Sequence, residues 1–368
     1  MRSGGCVSRS TPRNETMSIA RLARHLGLSE GTISRALNNY PDIAKKTRER
    51  VQKAARDLGY RPSSSARRLA RGVIETIGFV LPTCRTQHSD PFLAEILNGL
   101  ASELARHDWD LLVSAVPEGQ DEIEVIDRLV SSGKVGGFVI ARTYRQDARV
   151  DYLRQSGVPF VVQGRTDDPS DYSWLDIDNE QAFVDAVTYL RGLGHRKIAC
   201  LGGDPKMNFA WQRRCGYLRA MAQQGGHIGV GYLIDGITDA VSAKNATAHL
   251  LSISKSDRPT ALLCVTDAVA IGAMQALNGA GLTVGRDMSV MGFDGLPIGL
   301  AVQPALTTLH QDSYEIGREA GRMVLELCTS SATSPSPSPR QTLWQAKLTP
   351  RASVNPPGTS PAQQNQGG

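Results

Sequence analysis

Apolar positions along the chain change period once, near residue 72. Before it, Ile19, Leu22, Ala23 and Leu26 recur at helical spacing and the run stops at Gly27. Ser29 then offers an N-cap, and Ile33, Ala36 and Leu37 supply a second apolar face, which Asn38-Asn39-Tyr40-Pro41 breaks. Val51, Ala54, Ala55 and Leu58 give a third helix ending at Gly59. Three short helices joined by a tight glycine turn predict an all-α head with a small core of its own. Beyond residue 72 the pattern alternates. Short apolar runs at 77–81, 110–115, 137–140, 159–162, 197–202, 260–265 and 288–293 read as strands. Amphipathic stretches at 92–107, 122–130, 182–194 and 267–281 read as helices. Strand and helix in turn over this length predict an α/β body built on doubly wound parallel sheets, with any ligand at the carboxyl ends of the strands.

Charge sharpens the division. The 368 residues carry 41 Lys+Arg and 36 Asp+Glu; 16 of the bases and 5 of the acids precede residue 73, leaving 25 and 31 after it. A +11 head on a −6 body points to an N-terminal segment that meets a polyanion. Six cysteines without a CxxC pair suggest a reducing compartment and no zinc. No apolar run reaches the length of a membrane span, and residues 1–16 lack the apolar stretch of a signal peptide. These first residues read as disordered, or as lying upstream of a start at Met17. A cytoplasmic protein with no membrane partner is the expectation.

Chemistry in the head fits a helix-turn-helix. Its second helix opens with Ser29-Glu30-Gly31-Thr32 and carries Ser34 and Arg35, short polar groups at the end expected to meet base edges and phosphates. Three blocks in order, SIARLARHLGLSEGTISRALNNYP, TRERVQKAARDLGYRP and SARRLARG, resemble the DNA-binding head of the lactose-repressor (LacI) family. The resemblance implies that Glu30 and Gly31 sit where the family varies with operator sequence, and that Thr32, Ser34, Arg35 and Asn38 belong to the shared framework. Glu30 can accept from a cytosine amino group; Gly31 has no side chain to read with. Ser63 to Ala70 corresponds to the family's hinge helix, which forms on operator DNA and inserts a leucine into the minor groove. Leu69 matches that leucine, and Arg67 and Arg68 flank it. Two positions depart from the pattern: Ser63 replaces a common asparagine, and Ala44 replaces the serine that usually caps the third helix.

The body resembles the same family, whose effector module is similar to periplasmic sugar-binding proteins. TIGFVLP, DNE at 178–180, LGHRKIACLGG, RRCGY, TDAVAIGAMQAL, RDMSVMGFDG and LTPRAS carry the likeness, which spans roughly 17–354. It implies two lobes assembled from discontinuous segments, with three chain crossings and a cleft between them. Family contact positions fall on Phe92, Arg165, Phe209, Arg213, Thr266 and Asp294, with Arg213 and Asp294 expected on separate lobes, facing one another through a ligand. Plainer roles compete. Arg213 and Asp294 could be an ion pair, Phe92 and Phe209 core residues, Asp178 and Asp267 helix caps, and His195 structural.

The division that follows is 17–62 for the DNA-binding head, 63–72 for the hinge, 73–354 for the effector-binding and dimerisation body, and 355–368 for a disordered tail. SSATSPSPSP at 330–339 reads as a flexible loop. The tail has no apolar heptads, so a homodimer is favoured over a coiled-coil tetramer. Expected partners are double-stranded operator DNA and a small effector: a glycoside by preference, with a purine or phosphorylated metabolite open. No cofactor, metal or catalytic residue is expected. GxGxxG, GxxxxGK[ST] and HExxH are missing from the sequence, and its GxSxG, at 27–31, falls in the glycine turn between two head helices rather than between a strand and a helix, which disfavours a sugar-metabolising enzyme. A periplasmic-type sugar receptor would leave the basic head unexplained.

Overall fold

The structure is a computed structural model, and it describes residues 18–37, 39–60, 74–82, 91–117, 119–223, 225, 228–330 and 338–358. Asn38, Arg67, Arg68 and Leu69, with the rest of the 63–72 hinge, lie outside the described residues, as do residues 1–16, most of the Pro/Ser stretch and the end of the tail. The chain divides into two compact units at Val73/Ile74.

The first unit holds α1 (Ile19–Leu26), α2 (Glu30–Leu37) and α3 (Lys45–Asp57). Ser18 caps α1 by accepting from the Arg21 amide, and Gly27 ends it in the left-handed conformation with φ of 64°. Ser29 Oγ caps α2, accepting from the Thr32 amide at 3.1 Å. At α3 the substitution of Ala44 shows, because the helix begins without a side-chain cap. Leu22, Ala23, Leu26, Ile33, Ala36, Val51 and Ala55 close one small core, drawn from all three helices.

Two six-stranded sheets build the second unit. The first takes β1 (Thr76–Pro82), β2 (Asp110–Val116), β3 (Gly137–Ile140), β4 (Phe160–Gln163), β5 (Ser173–Ile177) and β11 (Gln341–Trp344), in the order β11-β5-β4-β3-β1-β2. Its helices are α4 (Pro91–Ala105), α5 (Glu122–Ser131), α6 (Ala148–Ser156) and the late α12 (Ser313–Thr329). The second sheet takes β6 (Ile198–Leu201), β7 (Leu233–Ile234), β8 (Ala261–Cys264), β9 (Ser289–Asp294), β10 (Thr307–His310) and β12 (Lys347–Thr349), ordered β12-β10-β9-β8-β6-β7. With it go α7 (Asn179–Gly192), α8 (Asn208–Gln223), α9 (Ala240–Ser252), α10 (Asp267–Gly279) and the short α11 (Ile298–Ala301). Pairings are parallel except β10 with β12. The chain crosses between sheets after β5, after β10 and between β11 and β12, so each lobe is discontinuous.

Strand alternation gives each sheet two buried faces. In the first lobe Phe138, Ile140, Phe160 and Val162 join Val125, Ile126, Val150 and Leu153 of α5 and α6. On the other face α4 and α12 pack so closely that a Cβ at Gly99 would lie 1.9 Å from the Tyr314 carbonyl oxygen, and one at Gly317 would lie 2.1 Å from that of Ile96. Asn355, expected at the start of the tail, is pinned to the body: its carbonyl oxygen accepts from Ser289 Oγ at 3.0 Å and lies 2.9 Å from His195 Nε2. His195 is buried, its Nδ1 2.8 Å from Thr260 Oγ1, and burial lowers its pKa. It is a structural residue.

Candidate functional site: an interlobe cavity and a helix-turn-helix surface

Carboxyl ends of strands from both sheets converge on one cavity of about 320 Å³, a size suited to a small ligand. Phe92, Arg165, Phe209, Arg213, Thr266 and Asp294 all line it. Their lobe assignment differs from expectation. Arg213 lies on α8, after β6, and Asp294 ends β9; both strands belong to the second sheet, so this pair does not span the cleft. Sequence spacing could not show this, because lobe membership depends on where the chain crosses. Phe92 and Arg165 come from the first lobe, with Thr143, Tyr144, Gln163 and Asp176, which sequence reasoning missed.

Arg213 is buried and strongly held. Its Nε donates to Asn179 Oδ1 at 2.8 Å and one terminal nitrogen donates to the Val265 carbonyl at 2.5 Å. The guanidinium also lies 3.4 Å from the Phe293 ring centroid and 4.9 Å from that of Phe209. Burial, the largest influence, pulls its pKa down to about 10 against the opposing charges of Asp294, Asp176 and Asp267. It is neither a surface cation nor half of a simple ion pair. Asn179, beside Asp178 in the DNE motif, was the overlooked part of its support; Asp178 itself caps α7 by accepting from the Gln181 amide.

Asp294 is buried with φ of 118°, a strained value for a non-glycine residue, and Oδ1 accepts from Gln311 Nε2 at 2.7 Å. Burial is the main cause of its raised pKa, with the neighbouring Asp267 charge adding to it and Arg213 opposing. Asp267 is not the helix cap it resembled in sequence. Thr266 caps α10, accepting from the Val269 amide, while the Asp267 carboxylate accepts from Thr308 Oγ1 and the Leu296 amide, each at 2.7 Å. Burial raises its pKa also. Across the cavity Arg165 Nε meets Asp176 at 3.2 Å, and burial pushes Asp176 up to about 6.

A clamp shapes the first-lobe wall. The buried Arg149 donates to both Asp147 oxygens at 2.9 and 2.7 Å, to Glu122 at 2.8 Å, and to the carbonyls of Ala141 and Arg142. It thereby fixes the loop that presents Thr143 and Tyr144. The result is a mostly pre-formed cavity with aromatic walls, guanidinium groups and carboxylates, suited to a ligand rich in paired hydroxyls.

These carboxylates have a consequence for stability. Three folded-state pKa values stand above the ordinary 3.8, so between that value and the raised ones the folded protein holds more protons than the unfolded chain. Stability from these groups is present at low pH and lost as pH rises. Asp294→Asn keeps the shape, tolerates positive φ and removes the charge. We expect a flatter fall in stability between pH 5 and pH 7.5 and weaker ligand binding. Calorimetric melting at both pH values checks the sign; an unchanged pH slope would count against this assignment.

In the head, Glu30 and Gly31 are exposed at the start of α2, and Thr32 and Ser34 are half-buried along it. Ser29 Oγ lies 2.8 Å from Thr32 Oγ1. Arg35 is exposed, paired with Asp42 and 5.9 Å from the Tyr40 ring centroid, so its direction is partly set in advance. Among the described residues no group of three or more His, Cys, Asp or Glu could hold a metal ion, and no helix is long and apolar enough to cross a membrane.

Residues 18–63 match the family described as bacterial regulatory proteins, lacI family, and 187–354 match a periplasmic binding protein-like domain. The HTH-type transcriptional regulator AglR of Rhizobium meliloti (strain 1021) is 36% identical, over 94% of this chain and 96% of its own length. The chain belongs to the lacI family. It is thus a helix-turn-helix transcriptional regulator and not an enzyme. Among solved structures, the lac repressor dimer bound to operator and the anti-inducer ONPF is 25% identical, with a TM-score of 0.80 over 93% of this chain and 100% of that one. The transcriptional regulator CelR–cellobiose complex is also 25% identical, with a TM-score of 0.69 over 92% and 99%. As in those lacI-family proteins, the fold combines helix-turn-helix helices with two parallel-sheet lobes.

Proposed function

We propose that this chain is a cytoplasmic, homodimeric repressor of carbohydrate-utilisation genes. Its head binds a pseudopalindromic operator, and its affinity is set by a small sugar in the interlobe cavity. The observation that carries the effector half is the meeting of all six family contact positions around one cavity at the strand ends of both sheets. Lac repressor bound to operator and CelR bound to cellobiose support the two ligand classes. Linkage supplies the mechanism. A sugar preferring a lobe arrangement that disfavours operator binding weakens that binding, and DNA weakens sugar binding by the same factor.

In the head we assign base preference to Glu30, backbone and framework contacts to Ser29, Thr32, Ser34, Arg35 and Asn38, and no side-chain reading to Gly31. Selection of binding sites from a random DNA pool by the full-length protein tests this. A two-fold site is expected, and Glu30→Ala should relax one base pair per half-site by about 1–3 kcal/mol. Equal weakening on every sequence variant would remove Glu30 from base reading. Leu69 we assign to a minor-groove wedge, with Arg67 and Arg68 on nearby phosphates. Leu69→Ala should reduce DNA bending in a circular-permutation gel while leaving the salt dependence of binding almost unchanged. Full bending by the variant would exclude a wedge.

A further inference from the structure

Besides the three chain crossings, the two lobes are joined by a set of contacts along one rim of the cavity. The loop after β3 and the loop after β6 run antiparallel, with Tyr144 bridged to Met207. The Arg145 amide donates to the Lys206 carbonyl at 2.9 Å, and the Asn208 amide donates to that of Thr143 at 3.0 Å. Asn208 Nδ2 adds a bond to the Arg165 carbonyl at 2.6 Å. Next to this bridge the second-lobe Trp211 ring has the first-lobe Arg145 guanidinium 4.3 Å from its centroid and Arg214 of its own helix at 5.4 Å. Asp167 holds Arg145 at 2.9 Å, and Asp235 holds Arg214 at 2.9 Å. A line of charge and ring, Asp167, Arg145, Trp211, Arg214, Asp235, therefore runs from one lobe to the other.

We propose that these two loops form a clasp that holds the lobes closed without a ligand, with Trp211 as its positioning residue. Each Arg is pre-oriented by its own lobe's carboxylate, so little side-chain entropy remains to be lost when Arg145 meets the ring. The half-buried ring in turn shields the two interlobe backbone bonds from water. Tyr144, Met207, Asn208 and Arg165 belong to both the clasp and the cavity wall, so opening the clasp and admitting a ligand are one event. The clasp sets the fraction of time the cavity is open, and thus the rate of effector entry.

Amide hydrogen exchange on the ligand-free, full-length protein tests this without knowledge of the effector. Arg145→Ala removes the first-lobe contact from a side chain that is about a third exposed. It should speed exchange at the residue 145 and Asn208 amides about tenfold, the size of one partly desolvated cation–π contact, while the Phe138 and Leu263 strand amides stay unchanged. Trp211→Ala should do the same, and Trp211→Tyr should restore most of the protection. Unaltered exchange at residues 145 and 208 in Arg145→Ala overturns the clasp. So does equal acceleration at all four amides, which would report general loosening. If Trp211→Ala proves unfolded, Arg145→Ala alone decides.

Discussion

Arg213→Met should yield a protein that is markedly less stable and does not bind its effector. The substitution preserves much of the apolar stem but removes the charge. It leaves the Asn179 amide oxygen and the Val265 carbonyl without their buried donor, and Asp294 and Asp176 without the cation that opposes their burial. Breaking such a buried network by removing one member costs about 3–5 kcal/mol, more than the small gain from easier burial of methionine. Chemical denaturation checks the stability loss. Calorimetry, using whichever sugar raises the wild-type melting temperature in a screen, checks the binding loss. Wild-type affinity in a folded Arg213→Met protein would place the effector elsewhere and leave this arginine a purely structural role.

Gly317→Ala should be as damaging, although it lies outside the cavity. Alanine favours the middle of α12 by about 1 kcal/mol over glycine. Here the added methyl would stand 2.1 Å from the Ile96 carbonyl oxygen, and backbone atoms cannot rotate away as a flexible side chain would. Separating α4 from α12 would open the face on which both helices pack, so a net loss of more than about 3 kcal/mol is expected. Gly99→Ala meets the reciprocal obstacle at Tyr314. A melting temperature equal to wild type in either variant would show that the two helices can move apart at little cost.

Elements legible from sequence share one property. β3 and β8 are continuous apolar runs, and α1 and α2 carry plain apolar faces between a serine cap and a breaker, so local pattern and tertiary role agree. β5 was not legible, because Ser173 and Asp176 interrupt it. In the fold Ser173 Oγ accepts from the Arg340 amide and Asp176 meets Arg165, so partners distant in sequence satisfy the polar groups. β10 hides for the same reason: Thr308 is buried against Asp267, and Thr307 Oγ1 donates to the Arg351 carbonyl. In α12 the close approach to α4 needs glycine at 317, which weakens a helical pattern read on its own.

The cavity was legible residue by residue but not as geometry. Short motifs marked Arg165, Arg213, Thr266 and Asp294, yet the sharing of one lobe by Arg213 and Asp294 follows from three crossings that no local spacing records. Asn179 and Gln311, which orient those two side chains, carry no chemical signal of their own until the fold brings them within hydrogen-bond range. The expectation that Asp267 caps a helix failed because Thr266 satisfies the amide one residue earlier and frees the carboxylate for Thr308.

A sugar bound in the cavity is expected to control DNA binding by the head. The most direct test of this control is a fluorescence-anisotropy titration of the full-length protein on its selected operator, with and without the sugar found by the melting screen, for the wild type and for Asp294→Asn. The sugar is expected to shift the wild-type operator Kd by about 5–150-fold, the range of typical allosteric coupling, and Asp294→Asn is expected to bind operator normally but to respond only at much higher sugar concentration. Operator affinity indifferent to a sugar that demonstrably binds wild type, or an undiminished response in Asp294→Asn, would contradict control through the cavity.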